Sequence, residues 1–444
     1  MSLNDEYLSI LKGLNGDLQG REKALHHLLD TDVDAHGEPL NFSYIPYLVD
    51  RELNDKFEYI VSITHSILTK IIAEYLKNPD YRKLFGYSKD LERLILMPCG
   101  YSELLPMARF DIFIDEETGD FKFCEFNTDG TSCMSRDLVL GECVKQGSAF
   151  KKFSEKHKVS NYELFDSWAK ACLTNFHECE KSTEPSVVAI ADFMDEHATF
   201  SDFNRFKEAF ERQGAKAVVA DLRDLKLVND RLVDIKSNTE IDCIYRRAVT
   251  CDILNNMDEV ADFVEAVEKQ AVCLIGHFRT TVVHTKTVNI ALFLPETRQF
   301  LSPEECAFID EHCPKTFRLN NDLPISIDDI KNNASGWIIK PEDDYGAKGV
   351  FAGRDYEYDE WANIVEEHIN SGYVAQEYAQ QYTTDVLFTG ERLDNTTPVQ
   401  RFNAMPGLYS YNGKFSGIYL RCGNEGVIAV DHNGLVKPAF KVDF

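Results

Sequence analysis

The sequence predicts a mixed protein, part α+β and part α/β, that is divided into more than one lobe. Its 444 residues are too many for one ordinary core, since a single domain usually holds roughly 100–200 residues. Apolar and polar residues alternate around residues 94–127, which predicts a β-hairpin, and strand-like runs alternate with a helical stretch at 185–280. Alternation of strands and helices is typical of a parallel sheet with crossover helices.

Changes of pattern along the chain define the expected organisation. The predicted segments are a helical amino-terminal segment at 1–95, the hairpin at 96–135, a helical connector at 136–184, a small α/β lobe at 185–280 and a larger α+β lobe at 281–444. The polar stretch at 178–185 predicts the boundary before the α/β lobe.

Composition excludes two kinds of partner. The chain has 74 acidic and 47 basic side chains, a net charge of -27 that repels nucleic-acid phosphates and anionic lipids. No apolar run approaches the roughly 20 residues that cross a bilayer, and acidic residues near the amino terminus do not suit an export signal. A cytoplasmic protein is expected, although a local cluster of cations can still reverse the potential inside one cleft. Nothing in the sequence predicts the oligomeric state.

The twelve cysteines are scattered and form no C-x-x-C pair. Cys99, Cys124, Cys243 and Cys273 lie in apolar runs, as small buried hydrophobic residues do. Reduced thiols are therefore expected, with a disulfide or a zinc site as the disfavoured alternatives.

The predicted hairpin presents two pairs of polar side chains. Residues two apart share one face of a strand, so Arg109 pairs with Asp111, and Glu125 with Asn127. Carboxylate and amide oxygens are the hard ligands that suit magnesium beside nucleotide phosphates. The alternative is a surface hairpin with solvated charges, which the apolar neighbours of Glu125 disfavour because unpaired carboxylates are costly to bury.

A second polar region follows a strand-like run near residue 340. Lys340 ends the run Ile338–Pro341, and the loop 343–350 contains Gly346 and Gly349. Glycines let the backbone approach phosphate oxygens, and a lysine supplies a point charge. The Walker A pattern is absent, and a surface strand followed by a tight turn is an equal alternative.

Together these motifs resemble those of ATP-grasp enzymes: an E-x-N pair, a strand lysine before a glycine loop, and Gln376-Glu377-Tyr378 after a helix. Here the E-x-N pair precedes Lys340, an order similar to that of the circularly permuted glutathionylspermidine synthase family. The R-x-D and E-x-N signature of that family lines up with Arg109–Asp111 and Glu125–Asn127, and the end of its motif set resembles residues 416–421. The resemblance spans about residues 98–444.

This resemblance implies an ATP-grasp-type fold with a small pre-ATP-grasp lobe at 185–280. It also implies an ATP- and Mg²⁺-dependent ligase that joins a carboxylate to an amine through an acyl-phosphate. Asp111, Glu125 and Asn127 would hold Mg²⁺, and Arg109 would stabilise the charge that develops during phosphoryl transfer. The residues expected at the ATP site are Lys286, Lys340, Gly346, Lys348, Gly349, Gln376, Glu377 and Tyr378. Lys286 is equally an ordinary helix-start lysine, and Lys348 matches no family position.

Four further residues are candidates for binding substrate. Thr128, Thr131 and Ser132 could bind the acceptor carboxylate or form a hydrogen-bonded turn. Arg421 could pair with an anion or cap an exposed strand. Two other functions remain open for the whole chain, a nucleotide-binding protein without turnover and a phosphotransferase.

Overall fold

A computed structural model describes residues 2–35, 38–180, 186–195, 198–344, 346–389, 397–430 and 434–444. Its helices are α1 Leu3–Gly13, α2 Leu18–Leu29, α3 Arg51–Lys77, α4 Pro79–Arg82, α5 Lys89–Ile95, α6 Met134–Lys145, α7 Ser148–Ser154, α8 Asp166–Phe176, α9 Phe200–Arg212, α10 Thr250–Asn255, α11 Ala261–Glu268, α12 Thr287–Ala291, α13 Pro295–Arg298, α14 Pro303–His312, α15 Ile327–Asn332 and α16 Tyr358–His368.

The strands are β1 Asp34–Ala35, β2 Glu38–Pro39, β3 Phe42–Ser43, β4 Tyr47–Val49, β5 Met107–Ile114, β6 Phe121–Asn127, β7 Val159–Asn161, β8 Val187–Asp192, β9 Lys216–Asp221, β10 Leu225–Val228, β11 Arg231–Asp234, β12 Thr239–Ile241, β13 Cys243–Arg246, β14 Cys273–Ile275, β15 Thr316–Arg318, β16 Trp337–Pro341, β17 Phe351–Ala352, β18 Tyr373–Glu377, β19 Tyr382–Val386, β20 Phe388–Thr389, β21 Gln400–Tyr411, β22 Lys414–Gly423, β23 Leu435–Lys437 and β24 Ala439–Val442.

An eight-stranded sheet forms the centre of the molecule. Its strand order is β20-β3-β23-β22-β21-β5-β6, and β19 pairs with β21. Successive side chains on a strand point to opposite faces. Phe110, Ile418 and Leu420 therefore pack in the apolar core with α3, while Arg109 and Arg421 project from the other face. We call this second surface the polar face.

Helix α3 covers the apolar face because its own apolar residues recur at helical spacing. Asp50 caps its first turn by accepting a hydrogen bond from the Leu53 amide, and Phe57, Ile60 and Ile67 are buried in the same core as the sheet. Among the described residues no helix, α3 included, is both long and apolar enough to cross a membrane.

Two further sheets flank the polar face. Strands β14-β13-β8-β9 form an entirely parallel sheet, which confirms the βαβ pattern predicted for the α/β lobe. Strands β15-β18-β16-β17 form an antiparallel sheet, in which Lys340 of β16 lies opposite Val374 of β18. We call them the parallel sheet and the antiparallel sheet.

The structure differs from the sequence-based expectation in two places within the first hundred residues. The segment 1–95 is not purely helical, since β3 joins the central sheet beside β23 and β4 pairs with β24. Both are short strands whose partners lie at the other end of the chain, so no local pattern reveals them. Leu94 and Ile95 belong to a helix and not to a strand-like run, because Ser88 caps α5. Residues 181–185, within the predicted boundary stretch, lie outside the described residues.

The expectation of reduced thiols needs one correction. Cys179 and Cys273 form a disulfide across 94 residues, while the other ten cysteines are free. The fold brings the end of the helical connector against β14, a contact that the spacing of cysteines along the chain does not predict.

A buried carboxyl group on α6 makes stability depend on pH. Asp137 is 1% exposed, its Oδ1 accepts a hydrogen bond from the Ala439 amide at 2.9 Å, and its Oδ2 has no partner among the described residues. Burial raises the pKa of Asp137 to about 8. Because the folded pKa lies above the unfolded one, its stabilising contribution is complete below about pH 4 and is lost as the pH rises through about 8.

We therefore expect the free energy of unfolding to fall by about 2–4 kcal/mol between pH 5 and pH 8 on account of this group alone. Asp137→Asn should remove that part of the pH dependence and be the more stable protein at pH 8. Urea unfolding at both pH values measures the effect, with Asp55→Asn on the exposed side of α3 as the matched control. Parallel pH profiles for Asp137→Asn and the wild type would contradict the assignment.

Candidate active site

A cavity opens between the polar face of the central sheet, the antiparallel sheet and segments that follow the strands of the parallel sheet, where Val249 and His284 lie. Cationic side chains outnumber carboxylates among its described lining residues: Arg109, Arg136, Lys286, Lys340, Lys348 and Arg421 against Glu125, Asp129 and Asp344. The local charge of the cavity is thus positive, although the net charge of the whole chain is -27. A concave site with clustered cations suits an anionic ligand.

The hairpin brings its four predicted residues together as expected. In the β5–β6 register, Arg109 lies opposite Asn127 and Asp111 opposite Glu125. Arg109 holds Asp111 in a two-point ion pair, with Nε–Oδ1 at 2.7 Å and Nη2–Oδ2 at 3.1 Å. Arg421 reaches the same carboxylate from β22 and lies 3.5 Å from Glu125. Five residues from three strands therefore form one connected ion network.

Asn127 links the two carboxylates of this network. Its Nδ2 donates to Asp111 Oδ2 at 3.0 Å and to Glu125 Oε1 at 3.2 Å. Asp111 is fully buried and does not line the cavity, whereas Glu125 and Asn127 do. Asp111 therefore lies behind the cavity wall. Glu125 and Asn127 present their side-chain oxygens to the cavity.

A glycine makes the network geometrically feasible. Gly407 lies on β21, directly between Asp111 on β5 and Tyr419 on β22. A Cβ at this position would lie 2.4 Å from Asp111 Oδ1 and 2.7 Å from Arg109 Cδ. Because Gly407 has no side chain, Arg421 on β22 and Asp111 on β5 can meet across β21.

The cations of the cavity keep Glu125 ionised. Burial acts to raise the pKa of Glu125, but Arg421, Lys286 and Lys340 outweigh it and hold that pKa well below its ordinary value. The Glu125 carboxylate therefore stays negatively charged across the physiological pH range and can bind a cation.

The two predicted lysines both reach the cavity. Lys340 is 5% exposed, and its Nζ donates to Gln376 Oε1 at 2.9 Å and to the Cys124 carbonyl at 3.3 Å. Lys286 lies at the start of α12, and its Nζ donates to the Asp344 carbonyl at 2.8 Å. Burial lowers the pKa of Lys286, with Lys340 acting in the same direction and Glu125 opposing it. Lys286 is thus both a helix-start residue and part of the cavity wall.

The glycine loop and the strand after α16 line the cavity only in part. Gly346 and Lys348 lie on the wall, while Gly349 packs next to the Tyr373 hydroxyl and does not. Gly346 and Gly349 have φ values of 71° and 65°, a left-handed conformation that favours glycine. Tyr345, in the same loop, lies outside the described residues.

Side chains alternate along β18 and the residue that follows it. Gln376 and Tyr378 line the cavity, and the Tyr378 hydroxyl donates to the Gly426 carbonyl at 3.1 Å. Glu377 points away and accepts a hydrogen bond from the Lys315 amide at 3.1 Å. Its side chain therefore lies outside the cavity, so a contact of Glu377 with a nucleotide would use its backbone groups.

The residues after β6 form a hydrogen-bonded turn. Thr128 Oγ1 donates to the Thr280 carbonyl and Thr131 Oγ1 to the Asn127 carbonyl, both at 2.9 Å. These two hydroxyls are used within the protein, and Thr128 does not line the cavity. Ser132 does, and its hydroxyl has one weak contact, 3.5 Å from Cys133 Sγ. The structure favours the turn for the threonines and leaves Ser132 as a binding candidate.

Several residues of the site were missed by the sequence analysis. They are Asp129, Arg136, His284 and Gly407, whereas Tyr419 lies within the motif at 416–421. Asp129 and His284 each lie two residues from a predicted site residue, so strand or loop spacing could have suggested them. Gly407 and Arg136 carry no such signal, because their roles depend on the order of strands in the sheet.

Asp129 ties the hairpin to the parallel sheet. It is buried, pairs with Arg246 and accepts a hydrogen bond from the Thr250 amide at 2.7 Å. Burial acts to raise its pKa, but Arg246 and His284 lower it below its ordinary value. The pair fixes the end of β6, and with it Glu125, relative to the wall that carries His284.

The architecture described above is that of a mixed α/β protein. No protein-family model matches the sequence, and no curated protein matches it significantly. Similarity is found instead among solved structures, at the level of the fold.

One such structure is that of a glutathione synthetase-like effector from Globodera pallida in its apo form. The match covers 95% of this chain and 96% of that one, with 12% identity and a TM-score of 0.58. The two chains share their fold over nearly their whole length. A Methylobacillus flagellatus KT structure with a provisional assignment as a gamma-glutamylcysteine synthetase matches 82% of each chain at 10% identity, and its TM-score of 0.39 is too low to show a common fold.

Proposed function

We propose that this protein is an ATP- and Mg²⁺-dependent ligase that joins a carboxylate to an amine through an acyl-phosphate, as in the glutathionylspermidine synthase family. One observation carries the proposal. Segments remote in sequence bring Glu125 and Asn127, two lysines and the ion network of Arg109 and Arg421 to a single cationic cavity. The fold shared with a glutathione synthetase-like protein supports the same class of reaction.

Glu125 and Asn127 fit a magnesium ion. Among the described residues, Glu125 Oε2 and Asn127 Oδ1 take part in no hydrogen bond, so both oxygens are available. Within the described chain no three His, Cys, Asp or Glu side chains cluster as a metal site. Mg²⁺ usually takes one or two protein carboxylates together with substrate phosphates. When bound, it would neutralise charge on the phosphate oxygens.

The side chains of the cavity would then divide the work of the reaction. Lys286 and Lys340 would bind the phosphates, and the donors of Arg109 would orient the acid. The γ-phosphoryl group passes to a carboxylate oxygen, which leaves ADP and an acyl-phosphate. The amine nitrogen attacks the acyl carbon, phosphate leaves, and the amine proton passes to solvent. In phosphoryl transfer the protein mainly positions the reactants and neutralises the charge on the phosphate oxygens.

ADP release tests the proposal. Amino acids, peptides and polyamines would be supplied as acids and amines in pairs, with and without Mg²⁺. We expect release of ADP and phosphate that requires Mg²⁺, an acid and an amine together. ADP release with an acid alone would identify a phosphotransferase instead.

A nucleotide-binding protein without turnover is the second candidate. The observation that favours it is the enclosure of Asp111 by Arg109 and Arg421, which removes one of the three expected metal ligands from the cavity. ATP binding without ADP release from any pair would establish this alternative.

Replacement of Lys340 by Met should weaken ATP binding under either candidate. The variant removes a buried ammonium group that faces the cavity, and a hydrogen bond to a charged group contributes about 1.5–3 kcal/mol. We expect the Kd for a non-hydrolysable ATP analogue to rise about 10- to 100-fold by calorimetry. Lys170→Met, at an exposed position of α8, is the matched control. An unchanged Kd in Lys340→Met would remove this lysine from the nucleotide site.

A further inference from the structure

Four of the cysteines meet on one face of the parallel sheet, away from the residues that line the cavity. Cys243 on β13 lies directly opposite Cys273 on β14. Side chains of register partners in parallel strands point to the same face, and the two strands lie roughly 4.8 Å apart. Both side chains are buried in one apolar core. They therefore place two sulfur atoms side by side on this face.

Helix α8 and the turn after it bring the other two cysteines to the same face. Cys172 lies on α8, and Cys179 lies three residues after its end. Trp168, one helical turn before Cys172, packs on Tyr245 with the ring centroids 5.0 Å apart. Tyr245 is two residues after Cys243 on β13 and so shares its face. The helix thus lies across the face that carries the cysteines.

The two pairs of cysteines differ in their chemical state. Cys179 and Cys273 form a disulfide, whereas Cys172 and Cys243 are free thiols. The sulfurs of Cys172 and Cys243 are in hydrogen-bonding contact, and burial together with this neighbour raises the pKa of Cys172 well above its ordinary value. The loss of two electrons and two protons would turn this contact into a second bridge beside the first.

The strands that carry these cysteines also support the wall of the cavity. Arg246 directly follows Tyr245, so its side chain points to the other face of β13. There its Nε donates to the Gly276 carbonyl at 2.6 Å, and its guanidinium pairs with Asp129 at the end of the hairpin. A covalent link on the first face would therefore hold the strand that positions Asp129.

We propose that Cys172, Cys179, Cys243 and Cys273 form a redox site, which a small organic disulfide oxidises from one bridge to two, with Cys172–Cys243 as the second bridge. The site needs neither the proposed ligase reaction nor nucleotide binding. With both bridges in place, α8 is linked covalently to β13 as well as to β14.

The bridges can form without direct access of the oxidant to the inner pair. Cys172 and Cys243 are 0% exposed, whereas Cys179 and Cys273 are 6% and 7% exposed. The Cys243 sulfur attacks that of Cys273 and releases Cys179 as a thiol, and the Cys172 sulfur then attacks that of Cys243 and releases Cys273 as a thiol. The small disulfide re-forms the outer bridge and leaves as two thiols, which carry away the two protons and the two electrons.

Mass spectrometry of the bridges tests the proposal. The full-length protein would be equilibrated with rising ratios of hydroxyethyl disulfide to 2-mercaptoethanol, unfolded in an alkylating agent and digested. We expect peptides joined through Cys179–Cys273 first and through Cys172–Cys243 at higher ratios. Cys143, a buried free thiol on α6, should be alkylated throughout. Alkylation of Cys172 and Cys243 at every ratio would overturn the proposal.

Urea unfolding supplies a second measurement, in which each variant is compared with itself in the oxidising and the reducing buffer. We expect the equilibrium constant for unfolding of the wild type to fall about 100-fold when the second bridge forms. Cys243→Ala should keep the effect of the first bridge and lose this further step, while Cys143→Ala, the matched buried control, keeps both. Cys172→Ala repeats the test if Cys243→Ala does not fold. A gain on oxidation equal to that of the wild type in Cys243→Ala or Cys172→Ala would overturn the proposal.

Discussion

Glu125→Gln should abolish Mg²⁺-dependent ADP release while leaving the protein folded. Glu125 supplies the one carboxylate oxygen of the ion network that both faces the cavity and has no hydrogen bond among the described residues. The amide keeps the shape of the side chain but loses the charge that binds the metal and balances Arg421. Loss of a single group that stabilises charge in a transition state lowers kcat by about 10²–10³-fold, and we expect at least that.

The control is an acid on the same hairpin that cannot reach the cavity. Glu117 lies in the exposed turn between β5 and β6, and Glu117→Gln should retain full activity. Titration of the ATP analogue with Mg²⁺ should show a weakened metal dependence in Glu125→Gln alone. Full Mg²⁺-dependent turnover in that variant would remove the metal assignment.

Gly407→Ala should damage both activity and stability, although the residue carries no functional group. Its Cβ would lie 2.4 Å from Asp111 Oδ1 and 2.8 Å from Arg109 Nε, atoms that two ion pairs hold in place. Overpacking of a filled core costs typically about 1–3 kcal/mol, and here the displaced atoms are a buried ion pair that would lose its geometry. We expect unfolding to require about 2–3 kcal/mol less free energy, with an ADP release at least 100-fold slower.

Gly13→Ala provides the matched control, since its Cβ would meet nothing within 4 Å. Urea unfolding and ADP release would be measured on both variants. ATP binding without Mg²⁺ should survive in Gly407→Ala, because Lys340 lies on another sheet. Wild-type activity and stability in Gly407→Ala would show that the network tolerates rearrangement and is not the support of the site.

Local patterns predicted those parts of the site that lie within one stretch of chain. The alternation of apolar and polar residues along β5 and β6 predicts the hairpin. The same alternation places the side chains of Arg109, Asp111, Glu125 and Asn127 on one face. Lys340 was visible because it ends a strand before a glycine loop. The parallel sheet was visible because its strands and helices alternate.

Features that depend on the order of strands could not be predicted in this way. Arg421 meets Asp111 only because β21 lies between β22 and β5, and only because position 407 carries no side chain. The disulfide between Cys179 and Cys273 and the ion pair of Asp129 with Arg246 likewise join segments far apart in sequence. On β18 adjacent side chains lie on opposite faces, so the side chain of Gln376 reaches the cavity and that of Glu377 does not.

The pairing of β3 with β23 has a consequence for how the protein is made. Residue 42 lies beside residue 436 in the central sheet, and residues 47–49 pair with residues 439–441. A nascent chain must therefore hold β3 and β4 without these partners until β23 and β24 have been synthesised. Contacts between residues so far apart in sequence slow folding, and strand edges that wait for their partners are prone to aggregation. Chains truncated before β22 would lack Arg421 as well as β23 and β24, so no single lobe contains the whole site.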